Sequence, residues 1–558
     1  MATPSQARAH TLFSTDRGWL AVVSLVAICQ AFAGRHQMNS DGLAYLEMAQ
    51  GVLTRGLGAL IQGYFSPGYP AVVAAALAIA RPSGIGQFAL VHAINLLIFG
   101  VAIASWCWWL ASGFDRAIRR VAWGVFALLV FKTLPLQVAT PDMIVLAVVI
   151  GMAAAWDRLA ASESVRDAVA LGAIAGAGYW AKAIMFPAAM LFLLIAFALA
   201  TVRRGVVIAA ATWCVIVLPL VLLTTGAVGH LSYGETGSLN YAWYVSGATH
   251  GGYPVGVDGS PADAGLTPPR PHEPIPVPTS PIRLVTFDEP TLGAYPLQFD
   301  PSFWNTADRP RFRPGAQIAA IRVNAGRYWR DWFVDLTIIP AVVIALLIAA
   351  LGQSSQVRIA RPEWVAPLWG VGVLAMYALV HVESRLVAPF VLLLLVSLLR
   401  LAQPRVATAA AAAGAVTLAV ATVSVLLGAG DAALASSGVP AAAAEQAGQL
   451  AAAGLCRGDT VAILDRMDGF RLAVPSHLAG VRLTAAFEHW PAADLPPDTL
   501  ARVRETLTGL GIAGVLRLEP PDRLGPEWRY LKPSRGAAMA VLLSRDGDVV
   551  SRRCESPR

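Results

Sequence analysis

The sequence predicts an all-α polytopic membrane protein of about eleven transmembrane helices, followed by a small α/β domain outside the bilayer. Three observations predict it. The 558 residues are 56% hydrophobic and only 14% charged, whereas soluble domains carry about 25% charged residues. Apolar runs of roughly 17–25 residues recur through most of the chain, each long enough to cross a hydrocarbon core of about 30 Å. Beyond residue 429 the pattern changes to short β-like runs around a helical stretch.

The expected spans are 18–34, 86–111, 119–135, 142–158, 166–181, 186–202, 205–226, 332–352, 363–381, 386–401 and 406–428. The first follows Arg8 and Arg17 and ends in Ala31-Phe32-Ala33, which also has the form of a signal-peptidase site. Because the rest of the chain stays in the membrane, the expectation is an uncleaved anchor. Tyr69–Ala80 is apolar but only 12 residues long, too short for a comfortable crossing. It reads as a juxtamembrane or re-entrant helix within a first outer loop, roughly residues 35–85.

Charge orients this arrangement. With the N-terminus cytoplasmic and Tyr69–Ala80 not crossing, thirteen Lys and Arg residues fall on the inner side. The short outer loops then hold six: Arg35, Arg55, Arg81, Lys132, Lys182 and Arg385. If the segment crossed, the bias would reverse against the positive-inside rule. The net charge of +7 is therefore membrane topology. It forms no basic face interleaved with aromatics, and nucleic acid is excluded as a partner.

Residues 227–331 form a long outer loop rich in Pro, Gly and Tyr. Its stretch from Tyr233 to Tyr244 suits sugar or lipid-headgroup contact and equally an interfacial aromatic belt. Residues 1–428 thus form a transmembrane module and 429–558 an outer α/β domain. Strands are expected at Thr460–Leu464, Val481–Ala485, Gly514–Leu518 and Ala538–Leu543, and a helix at Asp498–Leu510 capped by Asp498. Cys29, Cys107 and Cys214 fall in spans as packing residues. Cys456 and Cys554, near the two ends of the outer domain, either pair or remain two thiols. Pairing would close a loop worth about 4–5 kcal/mol in the entropy model.

Folded this way, Asp41, Asp142, Lys182, His381, Glu383 and Arg385 share the outer face of the membrane. An ionised carboxylate near hydrocarbon costs about 2.5–3.5 kcal/mol on insertion scales and therefore has a partner or a task. Each residue also has an ordinary reading. Ser40-Asp41-Gly42 is turn chemistry, and Asp142 after Pro141 is a helix N-terminal acid. Lys182 and Arg385 are placed to snorkel, and His381 to pack at the interface. Glu383 and Arg385, two apart, would not face each other on a helix.

The motifs resemble the GT-C superfamily of membrane glycosyltransferases, which includes the protein mannosyltransferases and lipid A aminoarabinose transferases. The resemblance is carried by Asp41-Gly-Leu-Ala-Tyr45, Ser66-Pro67-Gly68-Tyr69-Pro70, Thr140-Pro141-Asp142, Gly178-Tyr179-Trp180-Ala181-Lys182-Ala183 and Glu383-Ser384-Arg385-Leu386-Val387-Ala388-Pro389. It covers most of residues 18–400. It implies a polyprenyl-phosphate-linked sugar donor and a lipid, glycan or protein acceptor, met at the periplasmic face of a bacterial inner membrane. Asp41 matches the family's first-loop acid, the general base or the organiser of the acceptor and any metal, and Asp142 matches a second acid. A divalent ion, Mg or Mn, is the one cofactor left open. Many members carry two adjacent acids in the first loop, whereas here Asn39 and Gly42 flank a single Asp41, which departs from a first-loop metal site.

The chemistry asks for the same groups. Attack by a hydroxyl on the anomeric carbon of a lipid-phosphate sugar needs a carboxylate to take the proton, worth about 10²–10⁴-fold. It also needs cations where charge develops on the departing phosphate; Arg385 offers a planar fork of donors and Lys182 a point charge. Tyr45, Tyr69, His381 and Glu383 are the expected neighbours. No glycine loop follows a strand to cradle a sugar nucleotide. The alternatives are a lipid or glycan transporter or flippase, which would show duplicated halves and midplane charges, and a ligase or polymerase of lipid-linked glycans.

Overall fold

The computed structural model describes residues 4–199, 201–247, 249–250, 253–254, 275–278, 282–291, 310–334, 361–401, 439–464, 466–487, 495–518, 527–531 and 539–544. Helix α1 (Pro4–Gly34) leads to α2 (Ser40–Arg55), α3 (Gly68–Ala80), α4 (Gly86–Leu110) and α5 (Arg116–Thr133). Then follow α6 (Asp142–Ser162), α7 (Val165–Ala181), α8 (Met185–Leu199), α9 (Arg203–Val228), α10 (Thr236–Tyr244) and α11 (Pro314–Tyr328). The second half supplies α12 (Val365–Val380) and α13 (Ser384–Leu401). Among the described residues six helices are long and apolar enough to cross a membrane, within α1, α4, α6, α9, α12 and α13. The expected spans 119–135, 166–181 and 186–202 are α5, α7 and α8. These are 18, 17 and 15 residues long, shorter or more charged than the others. The expected span 406–428, and all but the first three residues of 332–352, lie outside the described residues.

The bundle is cemented by indoles and apolar side chains. Trp106 and Phe126 stack at 4.8 Å between ring centroids, with Trp109 and Trp123 beside them. Two of the deep indoles find backbone partners: Trp369 Nε1 donates to Ala188 O at 2.8 Å and Trp156 Nε1 to Pro362 O at 3.0 Å. Leu194, Val215 and Leu222 stand exposed on the outer surfaces of α8 and α9, where a bilayer solvates them. One end of the bundle is fastened by Asp157, which pairs with Arg400 and accepts from Ser112 Oγ at 2.6 Å. Asp142 starts the same helix about 22 Å away at 1.5 Å per residue, so the two acids lie at opposite ends of α6.

Outside the bundle, α2 and α3 make a small core of their own. Leu43, Leu46, Met48, Tyr69, Val73 and Leu77 are buried together against the start of α4. Tyr69–Ala80 is thus a 13-residue helix, Gly68–Ala80, packed on α2.

The α/β part contains a seven-stranded sheet. Its strands are β1 (Ile275–Pro276), β2 (Arg283–Thr291), β3 (Thr460–Ile463), β4 (Arg482–Phe487), β5 (Gly514–Arg517), β6 (Arg529–Leu531) and β7 (Met539–Leu543). The order is β1-β2-β4-β3-β5-β7-β6, with β4, β3 and β5 parallel at the centre and antiparallel strands on both sides. Helices α14 (Val439–Ala452), α15 (Arg466–Ala479) and α16 (Pro497–Gly509) accompany it, α15 being the crossover between β3 and β4. Two strands, β1 and β2, come from the long loop after α9, so the sheet joins that loop to the C-terminal segment. Asp498 is not the cap of α16: Pro496 holds the cap position and Asp498 sits in the first turn, where the helix dipole favours an acid. Cys456 is disulfide-bonded and Cys29, Cys107 and Cys214 are free thiols; Cys554 lies outside the described residues.

Candidate active site at the rim of the bundle

Four chain segments deliver charge to one point. Helix α2 starts after extended Asn39 (φ −81°, ψ 163°) and carries Asp41 in its first turn. Asn39 Oδ1 accepts from the Ala139 amide at 2.9 Å, tying the start of α2 to the loop before α6. Gly42 makes that approach feasible: a Cβ there would stand 2.6 Å from the Ala139 methyl. Asp142 opens α6 directly after Pro141. Lys182 follows the last turn of α7, extended at φ −157°. Gly68, at the head of α3, lies so close to this turn that a Cβ would meet Trp180 O at 2.7 Å. The two glycine-bearing motifs of the first loop are therefore places of close approach, to side chains at Gly42 and to backbone at Gly68.

Arg385, in the first turn of α13, is the hub. Its Nη2 reaches Asp41 Oδ2 at 3.1 Å, Nη1 reaches Asp142 Oδ2 at 3.3 Å, and Nε donates to Glu383 Oε1 at 2.6 Å. Lys182 Nζ donates to the other oxygen of Asp142, and Thr140 Oγ1 donates to Asp142 Oδ2 at 2.9 Å. Glu383 and Arg385 do face each other, contrary to the helical expectation, because Glu383 precedes the helix that begins at Ser384. The acids differ in access: the Asp142 side chain is 4% exposed, Asp41 27% and Glu383 44%. Asp142 is saturated by cations and a hydroxyl, while Asp41 stays open to solvent.

His381 lies at the margin. Its ring stacks on Tyr244 of α10 at 3.9 Å and 14°, and its Nδ1 lies 2.6 Å from Arg327 Nη1 of α11. A guanidinium only donates, so Nδ1 accepts here and the ring proton sits on Nε2. Asn324 clamps the same corner, donating to Ala378 O at 3.0 Å and accepting from Val382 N at 3.1 Å. Burial and then the Glu383 charge push the Tyr244 phenol up, while Arg327 and Arg385 pull it down. Tyr244 thus joins the Arg327 corner to the acidic hub. Among the described residues Arg327 pairs with no carboxylate; its partners are neutral.

Tyr45 and Tyr69 take supporting places. They are 5% and 0% exposed and pack edge to face at 5.2 Å. Tyr69 Oη donates to Asn95 Oδ1 at 2.7 Å. Burial, reinforced by the Asp41 charge, pushes the Tyr45 phenol well up. Asn95, Thr133, Val138, Thr140, Asp142 and Arg385 line a cleft of about 350 Å³ beside the hub.

The structure brings together Asp41, Asp142, Lys182, Glu383 and Arg385, with His381 at the edge. Sequence reasoning missed Arg327 and Asn324, since nothing local separates them from the other polar residues of a long loop. The acids do not suit a divalent ion: all three turn onto the Arg385 guanidinium, and no three His, Cys, Asp or Glu among the described residues are grouped to hold a metal.

No protein-family model matches the chain, and no curated protein matches it. Among solved structures, ArnT from Cupriavidus metallidurans bound to undecaprenyl phosphate aligns with a TM-score of 0.53 at 13% identity. That alignment covers 97% of this chain and 99% of that one. The apo oligosaccharyltransferase of Archaeoglobus fulgidus aligns at 0.47 and 12% identity, over 90% of this chain and 69% of that one. The alignment over nearly the whole of both chains shows that this chain shares the fold of ArnT.

Proposed function

We propose that this protein is an integral-membrane glycosyltransferase that moves a sugar from a polyprenyl-phosphate-linked donor to an acceptor at the periplasmic face, with inversion. The observation that carries the reading is the Arg385 hub, which joins one accessible carboxylate, Asp41, to a buried one, Asp142, at the bundle rim. ArnT, which shares the fold, was solved with undecaprenyl phosphate bound, a lipid phosphate of the kind the reading requires.

In the reaction, the acceptor oxygen bonds to the anomeric carbon while the bond from that carbon to the phosphate oxygen breaks. The hydroxyl proton passes to Asp41, and the electron pair leaves on the lipid phosphate. Asp41 suits the base because it is open to solvent and Arg385, its ionic partner among the described residues, aims it. Asp142 holds the cations in place. Arg385 uses three of its five N–H groups on the acids and Lys182 one of its three on Asp142, leaving donors for a phosphate. Arg327 adds a guanidinium not neutralised by any acid among the described residues.

The periplasmic assignment is supported by the Lys and Arg bias and by the disulfide at Cys456 in the outer domain, a bond of oxidising compartments. The test is deletion of the gene, with mass spectrometry of lipid extracts and surface glycans. The expected result is loss of one glycosyl residue of defined mass and accumulation of its polyprenyl-phosphate donor. Unchanged glycans and lipid-linked sugars would overturn the reading, and lipid movement without a covalent product would replace it with a flippase.

A further inference from the structure

Among the described residues a buried polar cluster joins the outer α/β domain to α2 and α4. His477, near the end of α15, places Nδ1 3.0 Å from Glu47 Oε1 of α2 and Nε2 3.2 Å from Gln87 Oε1 of α4. Both side chains are almost sealed, at 4% for His477 and 6% for Glu47. Gln87 Oε1 also accepts from Gln50 Nε2 of α2 at 2.9 Å, and Gln87 Nε2 donates to Pro82 O at 3.3 Å. The imidazole stacks on Phe88 at 5.9 Å and 30°. One turn earlier on the same face of α15, Ala473 enters the apolar core that α2 and α3 build. α2, the first turn of α4 and α15 thus meet in a single network.

Its position matters because α2 is the helix that carries Asp41. Glu47 lies six residues beyond Asp41 on α2, about 9 Å along the axis at 1.5 Å per residue. At its start α2 is held by the Asn39 bond to Ala139, and Asp41 by Arg385. The far half of the helix is held by α3, by the Gln50–Gln87 bond to α4 and, through Glu47, by the outer domain. A buried hydrogen-bonded pair sets rotation and axial position more narrowly than sliding apolar contact, because a displaced pair leaves sealed polar atoms unmatched.

We propose that the outer domain is a positioning element of the catalytic loop, and that His477, through Glu47 and Gln87, sets the placement of α2 and hence of the Asp41 carboxylate. His477 is a positioning residue: it acts on the reaction only through α2. The inference rests on the reading of Asp41 as base, but it makes a claim about α2 that holds without any activity measurement.

The experiment uses the full-length protein in nanodiscs, with His477→Ala, His477→Gln and the exchange Glu47→His/His477→Glu. Hydrogen–deuterium exchange of the peptide spanning α2 is measured beside turnover. His477→Ala is expected to speed exchange across α2, with α6 and α7 unchanged. It should lower kcat per folded molecule by about 10- to 100-fold, the scale of a misplaced reacting group, and leave the donor KM within about twofold. His477→Gln, which can still donate to Glu47, and the exchanged pair should recover most of kcat. Unchanged α2 exchange in His477→Ala would overturn the proposal whether or not sugar transfer is seen. So would a loss of activity matching only the loss of folded protein. Faster α2 exchange in His477→Ala, beside a wild-type protein that transfers no sugar, would sustain the domain contact while removing the transferase reading.

Discussion

Replacing Asp142 by Asn tests the charge network directly. Asp142 is where the two cations of the cluster meet: Lys182 Nζ binds one oxygen and Arg385 Nη1 the other at 3.3 Å, beside Thr140 Oγ1 at 2.9 Å. The substitution keeps the shape and removes the charge, stranding both cations against a neutral amide. Breaking a buried pair from one side costs about 3–5 kcal/mol. The Lys182 and Arg385 side chains are 24% and 26% exposed, and Arg385 keeps Asp41 and Glu383. Water and those acids offset part of the loss, leaving about 2–3 kcal/mol. A second change, Lys182→Met, should return about 1 kcal/mol or more in the Asp142→Asn background, because the stranded ammonium is gone. Unfolding titrations of the four proteins in mixed micelles measure the cycle. An Asp142→Asn protein within about 0.5 kcal/mol of wild type, or strictly additive substitutions, would refute the shared-anion arrangement.

Arg327→Met removes the guanidinium that no acid among the described residues neutralises, and should raise the donor KM by about 10- to 100-fold, the value of one charge-assisted hydrogen bond; donor titration reads it, and an unchanged KM would place the phosphate elsewhere. Gly68→Ala sets a Cβ 2.7 Å from Trp180 O and should destabilise by about 1–3 kcal/mol, with reduced turnover from the neighbouring Lys182, checked by unfolding and initial rates. Tyr69→Phe should cost about 1–3 kcal/mol in stability by leaving Asn95 Oδ1 unmatched, while kcat per folded molecule holds; a collapse of kcat would give Tyr69 a chemical role. Alkylation of the unfolded protein should label Cys29, Cys107 and Cys214 without reductant and all five cysteines with it; five labels without reductant would refute the disulfide.

The bundle was legible because long apolar runs admit few structures: chain in hydrocarbon must satisfy its own backbone, and helices do so locally. That Asp41, Asp142, Lys182 and Arg385 share one end of the helices was legible from charge bias, and their motifs' resemblance to a known family suggested that they meet. Finer features were hidden where the answer depends on a helix boundary or a distant partner. Glu383 and Arg385 pair only because α13 starts between them. Strand β2 carries Asp288, Glu289 and Pro290 in succession, so it lacks the alternation of an independent strand and forms by pairing with β4, far along the chain. Arg327 resembles any loop cation until Asn324 and His381 are beside it. His477 and Glu47, 430 positions apart, carry no local mark of contact.

The most direct test of the central claim is the turnover of Asp41→Asn, measured as sugar lost from a polyprenyl-phosphate donor and recovered on the acceptor. If Asp41 takes the acceptor proton, kcat falls by about 10²–10⁴-fold, with donor affinity within a few-fold and the protein still folded in membranes. Wild-type turnover by Asp41→Asn would contradict the account.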